Sequence, residues 1–264
     1  MNRRVSAWLT VDAGNTCIGF GLVLGRRVRT VAVVETPPRL ERGSWRNILR
    51  RLPAAFHGRT WRGVAGASVV PRLTPALRRF LRHWTGAPVR FVAPERFTGL
   101  VNTYRPRCAV GSDRLVGARA AAAEFGMPVI IVDLGTAVTV DAVDARGRYR
   151  GGAILPGLRL AGRALARETA LLPEAELDGP INALGGTTQA SLRAGLLLGA
   201  AGAVSRLVRE QRRRLGSRTP VVATGGHAAR IARWVPEIGA VRPALTHEGL
   251  RLWAGDVFSG GNET

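Results

Sequence analysis

The stretch that decides the fold is TVDAGNTCIGF, residues 10–20. An apolar run ends at Asp12, a small polar turn follows, and a second apolar run begins at Cys17. Two short apolar runs joined by a glycine-containing turn predict two antiparallel strands. Consecutive backbone N–H groups in such a turn, with Asn and Thr side chains, form a cradle for anionic oxygens. A carboxylate beside the cradle would repel an anion, so it indicates a cation such as Mg²⁺ between carboxylate and phosphate.

Nearly the same arrangement, IVDLGTAVTVDAV, returns at residues 131–143. Each copy is followed by a third strand pattern and then by helix and strand patterns, so the sequence predicts two duplicated α/β halves, 1–115 and 116–264. A single copy would be only a good hairpin turn. Two facing cradles could hold one triphosphate across a cleft, and the second copy therefore favours the functional interpretation.

Hydrophobic periodicity and turn residues predict the individual elements. Strands are expected over 8–12, 18–24, 28–34, 64–70, 89–92, 129–133, 137–143, 148–152 and 220–223. Helices are expected over 44–56, 74–84, 112–125, 158–167, 188–211, 228–234 and 247–258, with Thr74 and Ser112 as N-caps. Antiparallel strands at the start of each half argue against a dinucleotide-binding fold, and the absence of lysine excludes a Walker loop.

The length and amino-acid composition of the chain limit the classes of protein to which it can belong. A chain of 264 residues with 46% hydrophobic content suits one large domain or two ordinary ones with a sizeable core. No apolar run reaches the roughly 18 residues of a membrane span. Cys17 and Cys108 are the only cysteines, so no disulfide framework exists. Together these features predict a cytoplasmic protein that does not bind a membrane.

The net charge is +21, and all 39 basic residues are arginines. They are spread along predicted helices, such as residues 206–214, and do not alternate with aromatic residues as stacking platforms for bases would. The loss of every lysine beside abundant Ala, Gly and Arg is typical of a coding bias. We expect weak, salt-sensitive attraction to polyanions but no specific nucleic-acid binding.

The paired turns resemble the phosphate loops of the actin, Hsp70 and sugar-kinase superfamily. Within it, the chain resembles type III pantothenate kinases, whose further motifs match GSDR at 111–114, GGAILPG at 151–157 and TGG at 224–226. The resemblance implies two duplicated ribonuclease-H-like (actin-like ATPase) domains with a nucleotide cleft between them. It also implies a homodimer that phosphorylates pantothenate in the first step of coenzyme A synthesis, using ATP, Mg²⁺ and a monovalent cation, K⁺ or NH₄⁺.

The resemblance also implies roles for individual residues. Asp113 would be the general base that takes the proton of the substrate hydroxyl, and Asp133 would bind the monovalent cation. ATP would lie against Asp12, Ala13, Gly14, Asn15, Thr16, Cys17, Ile18, Gly19 and Thr136, with Asp12 on the Mg²⁺ side and adenosine near Gly225 and Gly226. The substrate would contact Tyr104, Gly111, Ser112, Asp113, Arg114 and Thr188, with Thr187 the alternative to Thr188.

Two other functions stay open at this point. The chain could be a kinase for another small hydroxyl substrate, because few residues select the acceptor. It could also be a non-catalytic accessory or regulatory protein on the same fold that binds nucleic acid or a protein through its arginines. The presence of both Asp113 and Arg114 favours a kinase.

Overall fold

The structure is a computed structural model that describes residues 7–38 and 42–259. The described residues form two compact units. The first contains the residues up to Ala123 together with those from Ala244 onward, and the second spans Glu124–Pro243. The chain therefore leaves the first unit, builds the second, and returns to the first through its last helix.

The elements are given in chain order. The strands are β1 (Ala7–Ala13), β2 (Cys17–Leu24), β3 (Arg27–Glu35), β4 (Trp61–Ser68), β5 (Val89–Phe91), β6 (Val101–Asn102), β7 (Val129–Leu134), β8 (Ala137–Val143), β9 (Arg148–Pro156), β10 (Val221–Thr224) and β11 (Ala240–Val241). The α-helices are α1 (Arg42–Arg51), α2 (Thr74–Thr85), α3 (Ser112–Phe125), α4 (Leu158–Glu168), α5 (Thr188–Leu215), α6 (Ala228–Ile231) and α7 (Leu245–Ser259). Short 3-10 helices occupy Ala54–Phe56, Pro94–Arg96, Arg107–Ala109 and Ala232–Trp234.

The first unit is built on a sheet with the strand order β3-β2-β1-β4-β5. Strands β1, β2 and β3 are antiparallel neighbours, whereas β4 runs parallel to β1 and β5 runs parallel to β4. In this register Asp12 lies opposite Gly19 of β2 and pairs with Ala67 of β4. Because β1 and β4 are parallel, their carboxyl ends meet at one edge of the sheet, and the turn after β1 lies at that edge.

Helices cover both faces of this first sheet. On one face Leu9 packs in a core with Ile48 of α1 and Leu77 of α2. On the other face Ala67 packs with residues of α3 and α7, including Trp253. A fully buried large apolar side chain contributes about 1.5–3 kcal/mol relative to its exposed state. Helix α7 is therefore a structural part of the first unit, although it comes last in the sequence.

The second unit repeats the same strand pattern. Its own strands follow the order β11-β10-β7-β8-β9. Strands β7, β8 and β9 are antiparallel, and β10 and β11 run parallel to β7. Apolar residues of α5, including Leu197 and Val204, pack with Val132 of β7 in its core. The predicted fold class, an α/β protein with two duplicated ribonuclease-H-like domains, is confirmed.

Several predicted boundaries and caps differ from the structure. The helix predicted over 44–56 ends at Arg51, because Pro53 cannot continue it, and a 3-10 helix follows. Thr74 is the first residue of α2 and not its N-cap. Its hydroxyl instead donates to the carbonyl oxygen of Val70 at 3.0 Å and lies 2.7 Å from the Ser68 hydroxyl. The threonine therefore fixes the strand-to-helix connection.

Other differences occur in the second half of the chain. The strand predicted over 148–152 extends to Pro156, and the helix predicted over 228–234 becomes α6 followed by a 3-10 helix. The two-residue strands β6 and β11 were not predicted, since such short pairings leave no periodic signal. The division of the chain into functional halves, 1–115 and 116–264, stays a prediction. The two compact units are divided differently, because α7 belongs to the unit that contains the first part of the chain.

Helix α5 is long and apolar. It has 28 residues, and its most apolar window has a mean hydropathy of 1.3, so by length and composition it could cross a membrane. The expectation that no stretch is long enough was therefore too strict. Within the second unit α5 packs against α4, β7 and β8 and supplies buried core residues. The core helices of packed domains pass the same test, so this property is weak evidence for a membrane span.

Candidate active site

The first turn lies at the carboxyl end of β1 and is closed by hydrogen bonds to its backbone. The N–H of Gly14 donates to the carbonyl oxygen of Cys17 at 2.9 Å. The hydroxyl of Thr36 donates to the carbonyl oxygen of Gly14 at 2.7 Å. Residues 15–16 are exposed at the tip, and the Asp12 carboxylate is half-buried beside it. The turn is therefore a braced hairpin with a polar tip, as a phosphate cradle requires.

Three of the predicted ATP-binding residues lie inside the sheet. Ala13, Ile18 and Gly19 are buried strand residues, and Ala13 pairs with Ile18. The side chains of Ala13 and Ile18 belong to the core of the first unit. In the structure these three residues therefore form the paired strands that support the turn.

The predicted general base begins a helix at the same edge of the sheet. Ser112 is the first residue of α3, and its hydroxyl accepts from the N–H of Ser68 at 2.9 Å and donates to the Ser68 carbonyl at 3.2 Å. Ser68 ends β4 and pairs with Ala13 of β1. The Ser112 side chain therefore joins helix start to strand end, where a cap was predicted. This link attaches the start of α3 to the strand next to β1. One residue further, Oδ1 of Asp113 accepts from the N–H of Arg114 at 2.8 Å.

Tyr104 and Arg114 are brought together in the first unit. The Arg114 guanidinium carbon lies 5.6 Å from the centroid of the Tyr104 ring, within range of a cation–π contact. The backbone N–H of Tyr104 donates to Oδ1 of Asn102 at 3.0 Å. Gly111 lies just before α3, and its carbonyl oxygen accepts from the N–H of Leu115 at 3.4 Å. Predicted substrate-binding residues from two separate segments therefore share one part of this unit.

Asn102 organises the loop that carries Tyr104. Its side chain is buried, and Nδ2 donates to the carbonyl oxygens of Pro94 and Arg107 at 3.0 and 3.1 Å. The sequence shows Asn102 only as one polar residue in an irregular stretch, so its role was missed. A buried amide that joins backbone groups eight residues before it and five residues after it leaves no periodic signal.

The second turn, in the second unit, follows β7. The N–H of Gly135 donates to the carbonyl oxygen of Ala137 at 3.1 Å, and the carbonyl oxygen of Thr136 accepts from the N–H of Gly157 at 3.1 Å. Asp133 is half-buried near the end of β7, opposite Thr139 of β8. A strand-end carboxylate beside a hairpin turn therefore occurs in both units.

A glycine loop lies directly against Asp133. Thr224, the last residue of β10, pairs with Asp133, and Gly225 follows with a positive φ of 92°. A Cβ at Gly225 would lie 2.5 Å from Oδ1 of Asp133 and 2.6 Å from the backbone carbonyl carbon of Leu134. Only glycine fits both the backbone conformation and this space. The TGG motif thus forms part of the same edge as the second turn.

Thr187 and Thr188 have different positions at the start of α5. Thr187 is the N-cap, and its hydroxyl accepts from the N–H of Ala190 at 3.2 Å. Thr188 is the first helical residue and is exposed. Because the Thr187 hydroxyl already accepts a hydrogen bond from the helix backbone, Thr188 is favoured as the residue that would contact a substrate.

His227 lies next to the second turn. Its backbone N–H donates to the carbonyl oxygen of Leu134 at 3.2 Å. Partial burial lowers the pKa of its imidazole, and the positive charges of Arg159 and Arg230 lower it further, against a smaller opposing effect of Asp178. The ring is therefore neutral at pH 7, so His227 adds no positive charge beside the second turn.

Comparison with known proteins identifies the family. The sequence profile of type III pantothenate kinases matches residues 8–210. The chain belongs to the type III pantothenate kinase family. A type III pantothenate kinase of Rubrobacter xylanophilus is 39% identical over 92% of this chain and 96% of its own length. One of Thermomicrobium roseum is 37% identical over 92% of this chain and 95% of its own length.

Membership of this family confirms the predicted activity. The chain is an enzyme, a pantothenate kinase, which uses ATP to phosphorylate pantothenate in coenzyme A biosynthesis. The roles of individual residues in this pantothenate kinase stay predictions.

Solved structures resemble the chain in fold. A Campylobacter jejuni protein named as a Baf family transcriptional activator matches with a TM-score of 0.60 and 15% identity, over 95% of this chain and 99% of its own. A ROK family glucokinase of Streptomyces griseus matches with a TM-score of 0.50 and 15% identity, over 97% of this chain and all of its own. At such low identity the likeness shows the shared fold of the pantothenate kinase and nothing about its ligands.

Proposed function

We propose that Asp113 is the general base of this pantothenate kinase and that the β1–β2 hairpin holds the phosphates of ATP. The observation that carries this assignment is the pair of hydrogen bonds between Ser112 and Ser68. Through them the start of α3 is attached to the strand next to β1, which ends in the hairpin. A base and a phosphate cradle in one rigid unit is the arrangement that in-line phosphoryl transfer requires.

The chemistry needs a base because a neutral primary alcohol is a weak nucleophile. In the proposed step the pantothenate hydroxyl oxygen forms a bond to the γ-phosphorus of ATP, and the bond from that phosphorus to the β–γ bridging oxygen breaks. ADP leaves, and the hydroxyl proton passes to the carboxylate of Asp113. General-base assistance of this kind is worth about 10²- to 10⁴-fold in rate.

The two strand-end aspartates are the proposed cation sites. Among the described residues, no three His, Cys, Asp or Glu side chains cluster as metal ligands. That fits Mg²⁺, which is commonly held by one or two carboxylates together with substrate phosphates. We assign Mg²⁺ to Asp12 and the monovalent cation, K⁺ or NH₄⁺, to Asp133. When bound, the cations would neutralise phosphate charge, and Thr136 would contact the nucleotide beside Asp133.

The substrate side of the site is assigned to the Tyr104–Arg114 pair. Pantothenate carries a carboxylate, and a guanidinium group can donate two parallel hydrogen bonds to it. The Tyr104 ring beside the guanidinium would fix its orientation. The other proposed contacts are Gly111, Ser112 and Thr188.

The proposal also covers the oligomeric state and the cellular location of the enzyme. We assign a homodimer in the cytoplasm, with no membrane and no specific nucleic acid as partners. An apolar groove of about 200 Å³ on the second unit supports an interface there. Small residues of α5, Gly195 and Gly199, line it together with Leu155 of β9.

The deciding experiment is ADP formation from ATP with pantothenate, measured with and without K⁺ or NH₄⁺. We expect Asp113→Asn to lower kcat by about 10²-fold or more, because the amide cannot accept the proton. Glu168→Gln is the matched control, since Glu168 is an exposed carboxylate at the end of α4, and it should keep full activity. Full activity in Asp113→Asn would remove the base assignment.

Two further measurements separate the alternative functions. Turnover of other small primary alcohols at rates above that of pantothenate would indicate a kinase with a different acceptor. Saturable DNA retention at physiological salt, without pantothenate turnover, would indicate a regulatory protein.

A further inference from the structure

A buried histidine of α7 lies against the strands of the first hairpin. His247 is only 5% exposed, and no role follows for it from the sequence motifs. Helix α7 packs on β1, β3 and β4. The next residue, Glu248, accepts from the backbone N–H of Val28 in β3 at 3.1 Å. The helix therefore holds His247 firmly against the sheet.

The imidazole ring fills space left by two glycines of β2. Thr10 pairs with Gly21 and Asp12 pairs with Gly19, so these four residues share one face of the hairpin. A Cβ at position 19 would lie 2.8 Å from Nε2 of His247, and a Cβ at position 21 would lie 2.7 Å from Nδ1. The ring thus occupies the space above both glycines, and no larger residue fits at either position.

The Nε2 edge of the ring points to the Asp12 end of this face. The same Cβ position at residue 19 that adjoins Nε2 would lie 3.8 Å from Cβ of Asp12. The Asp12 side chain and the ring edge are therefore neighbours across Gly19. A change at His247 therefore alters the space above Gly19, which adjoins the Asp12 side chain.

Thr10 fixes the tautomer of the ring. Its hydroxyl lies 3.2 Å from the carbonyl oxygen of Gly21 and 2.9 Å from Nδ1 of His247. The carbonyl can only accept, so the single hydroxyl proton goes to it, and Nδ1–H donates to the hydroxyl. The proton-free Nε2 then faces Gly19 and Asp12.

The ring is also neutral at physiological pH. Burial lowers the pKa of His247 to about 4, because the charged form loses its hydration. The hydrogen bond between Nδ1 and the Thr10 hydroxyl is therefore made by the neutral imidazole.

From this geometry we infer that His247 is a positioning residue of the ATP site: hydrogen-bonded to Thr10 and packed on Gly19 and Gly21, it sets the place of Asp12. The inference rests on the proposed function of Asp12 and the hairpin. It assigns to the last helix a part in nucleotide binding in addition to its part in the core. His247 does not touch the reacting atoms, so its effect falls on ATP binding.

The test measures the affinity for a non-hydrolysable ATP analogue with Mg²⁺ by calorimetry. His247→Leu keeps the approximate volume and removes the hydrogen bond, and Thr10→Val removes the hydroxyl with almost no change in shape. We expect each to weaken binding by about fivefold or more, as for the loss of one hydrogen bond. The double variant should be no weaker than the worse single variant, since both remove the same interaction.

Rescue and controls separate positioning from general destabilisation. His247→Asn places an amide near Nδ1 and should restore most of the affinity. Leu77→Ala, a core change in α2, should lower the melting temperature without a selective loss of ATP affinity. The KM for pantothenate should stay unchanged in the Thr10 and His247 variants. His83→Leu on the exposed face of α2 should change nothing.

The outcomes distinguish this inference from the proposed function. Wild-type analogue affinity in both His247→Leu and Thr10→Val would overturn the inference. If His247→Leu does not fold, wild-type affinity in Thr10→Val alone is enough to overturn it. Asp12→Asn tests the function of the hairpin separately, because it should weaken Mg²⁺-dependent binding whether or not His247 matters.

Discussion

At the scale of single residues, hydrogen bonds from buried polar side chains to other segments of the chain define the candidate site. Ser112 reaches Ser68 across 44 residues, and Thr10 meets His247 across 237. Asn102 connects Pro94 and Arg107. Each bond involves a buried polar group that would cost about 1–3 kcal/mol if it lost its partner. Such groups hold the geometry of the site more strictly than apolar packing alone.

Asn102 gives the first prediction at this scale. Asn102→Ala removes the donors to Pro94 and Arg107 and the acceptor for the Tyr104 N–H. The loop that carries Tyr104 then loses the hydrogen bonds that hold its backbone in place. We expect the KM for pantothenate to rise about tenfold while the KM for ATP changes little, in steady-state kinetics. Asn182→Ala is the control, since Asn182 is an exposed loop asparagine with a single local bond. An equal rise of both KM values would contradict the prediction.

His247 gives a prediction about pH and stability. Its pKa is near 6.5 in the unfolded chain and about 4 in the folded one, so below pH 6.5 the unfolded chain binds a proton that the folded chain rejects. The free energy of unfolding therefore falls as the pH drops from 6.5 towards 4, and this histidine alone should remove about 2 kcal/mol between pH 7 and pH 5.

Urea unfolding at pH 7 and pH 5 measures this loss. His247→Leu cannot take up the proton, so its loss over the same interval should be smaller by about 2 kcal/mol. Comparison with the variant removes the contribution of the carboxylates, which is common to both proteins. Equal losses in the two proteins would show that His247 does not resist protonation.

At the scale of elements, the strand–turn–strand segments were predictable and the connections between distant elements were not. Each hairpin is local: alternating or continuous apolar runs around Gly14 and Gly135 are sufficient to predict it. The packing of α7 on β1 and the Ser112–Ser68 link depend on three-dimensional contacts between distant segments. The predicted repeat of the strand pattern therefore occurs in both units, while Asn102 and His247 had no signal that separated them from ordinary polar residues.

The β10–α6 loop gives a prediction at the element scale. Gly225→Ala would force a Cβ into the backbone of Leu134 and strain a positive φ, so we expect a loss of about 1–3 kcal/mol in stability or more. ATP-analogue binding should also fall, because the displaced loop moves Asp133. Gly255→Ala is the control: this exposed glycine of α7 lies outside the proposed site and has open space around its Cβ position. Thermal melts and calorimetry of both variants test the difference.

At the scale of the whole molecule, the net charge of +21 is the dominant property. On helix α2, Arg78, Arg79, Arg82 and His83 line one surface depression, and such faces attract polyanions without reading sequence. We expect retention on heparin or DNA that is lost between about 50 and 200 mM salt and is equal for unrelated DNA sequences. Salt-resistant retention of one DNA sequence would contradict this expectation and favour the regulatory alternative.

The return of the chain to its first unit has a consequence for how this enzyme is made. On the ribosome α7 emerges after the whole second unit, so the strands of the first unit leave the exit tunnel well before the helix that packs on one of their faces. The second unit, by contrast, is continuous in sequence and can complete its own core during translation. Until α7 emerges, the nascent chain therefore carries part of an apolar sheet face uncovered, and Thr10 lacks the hydrogen bond to His247.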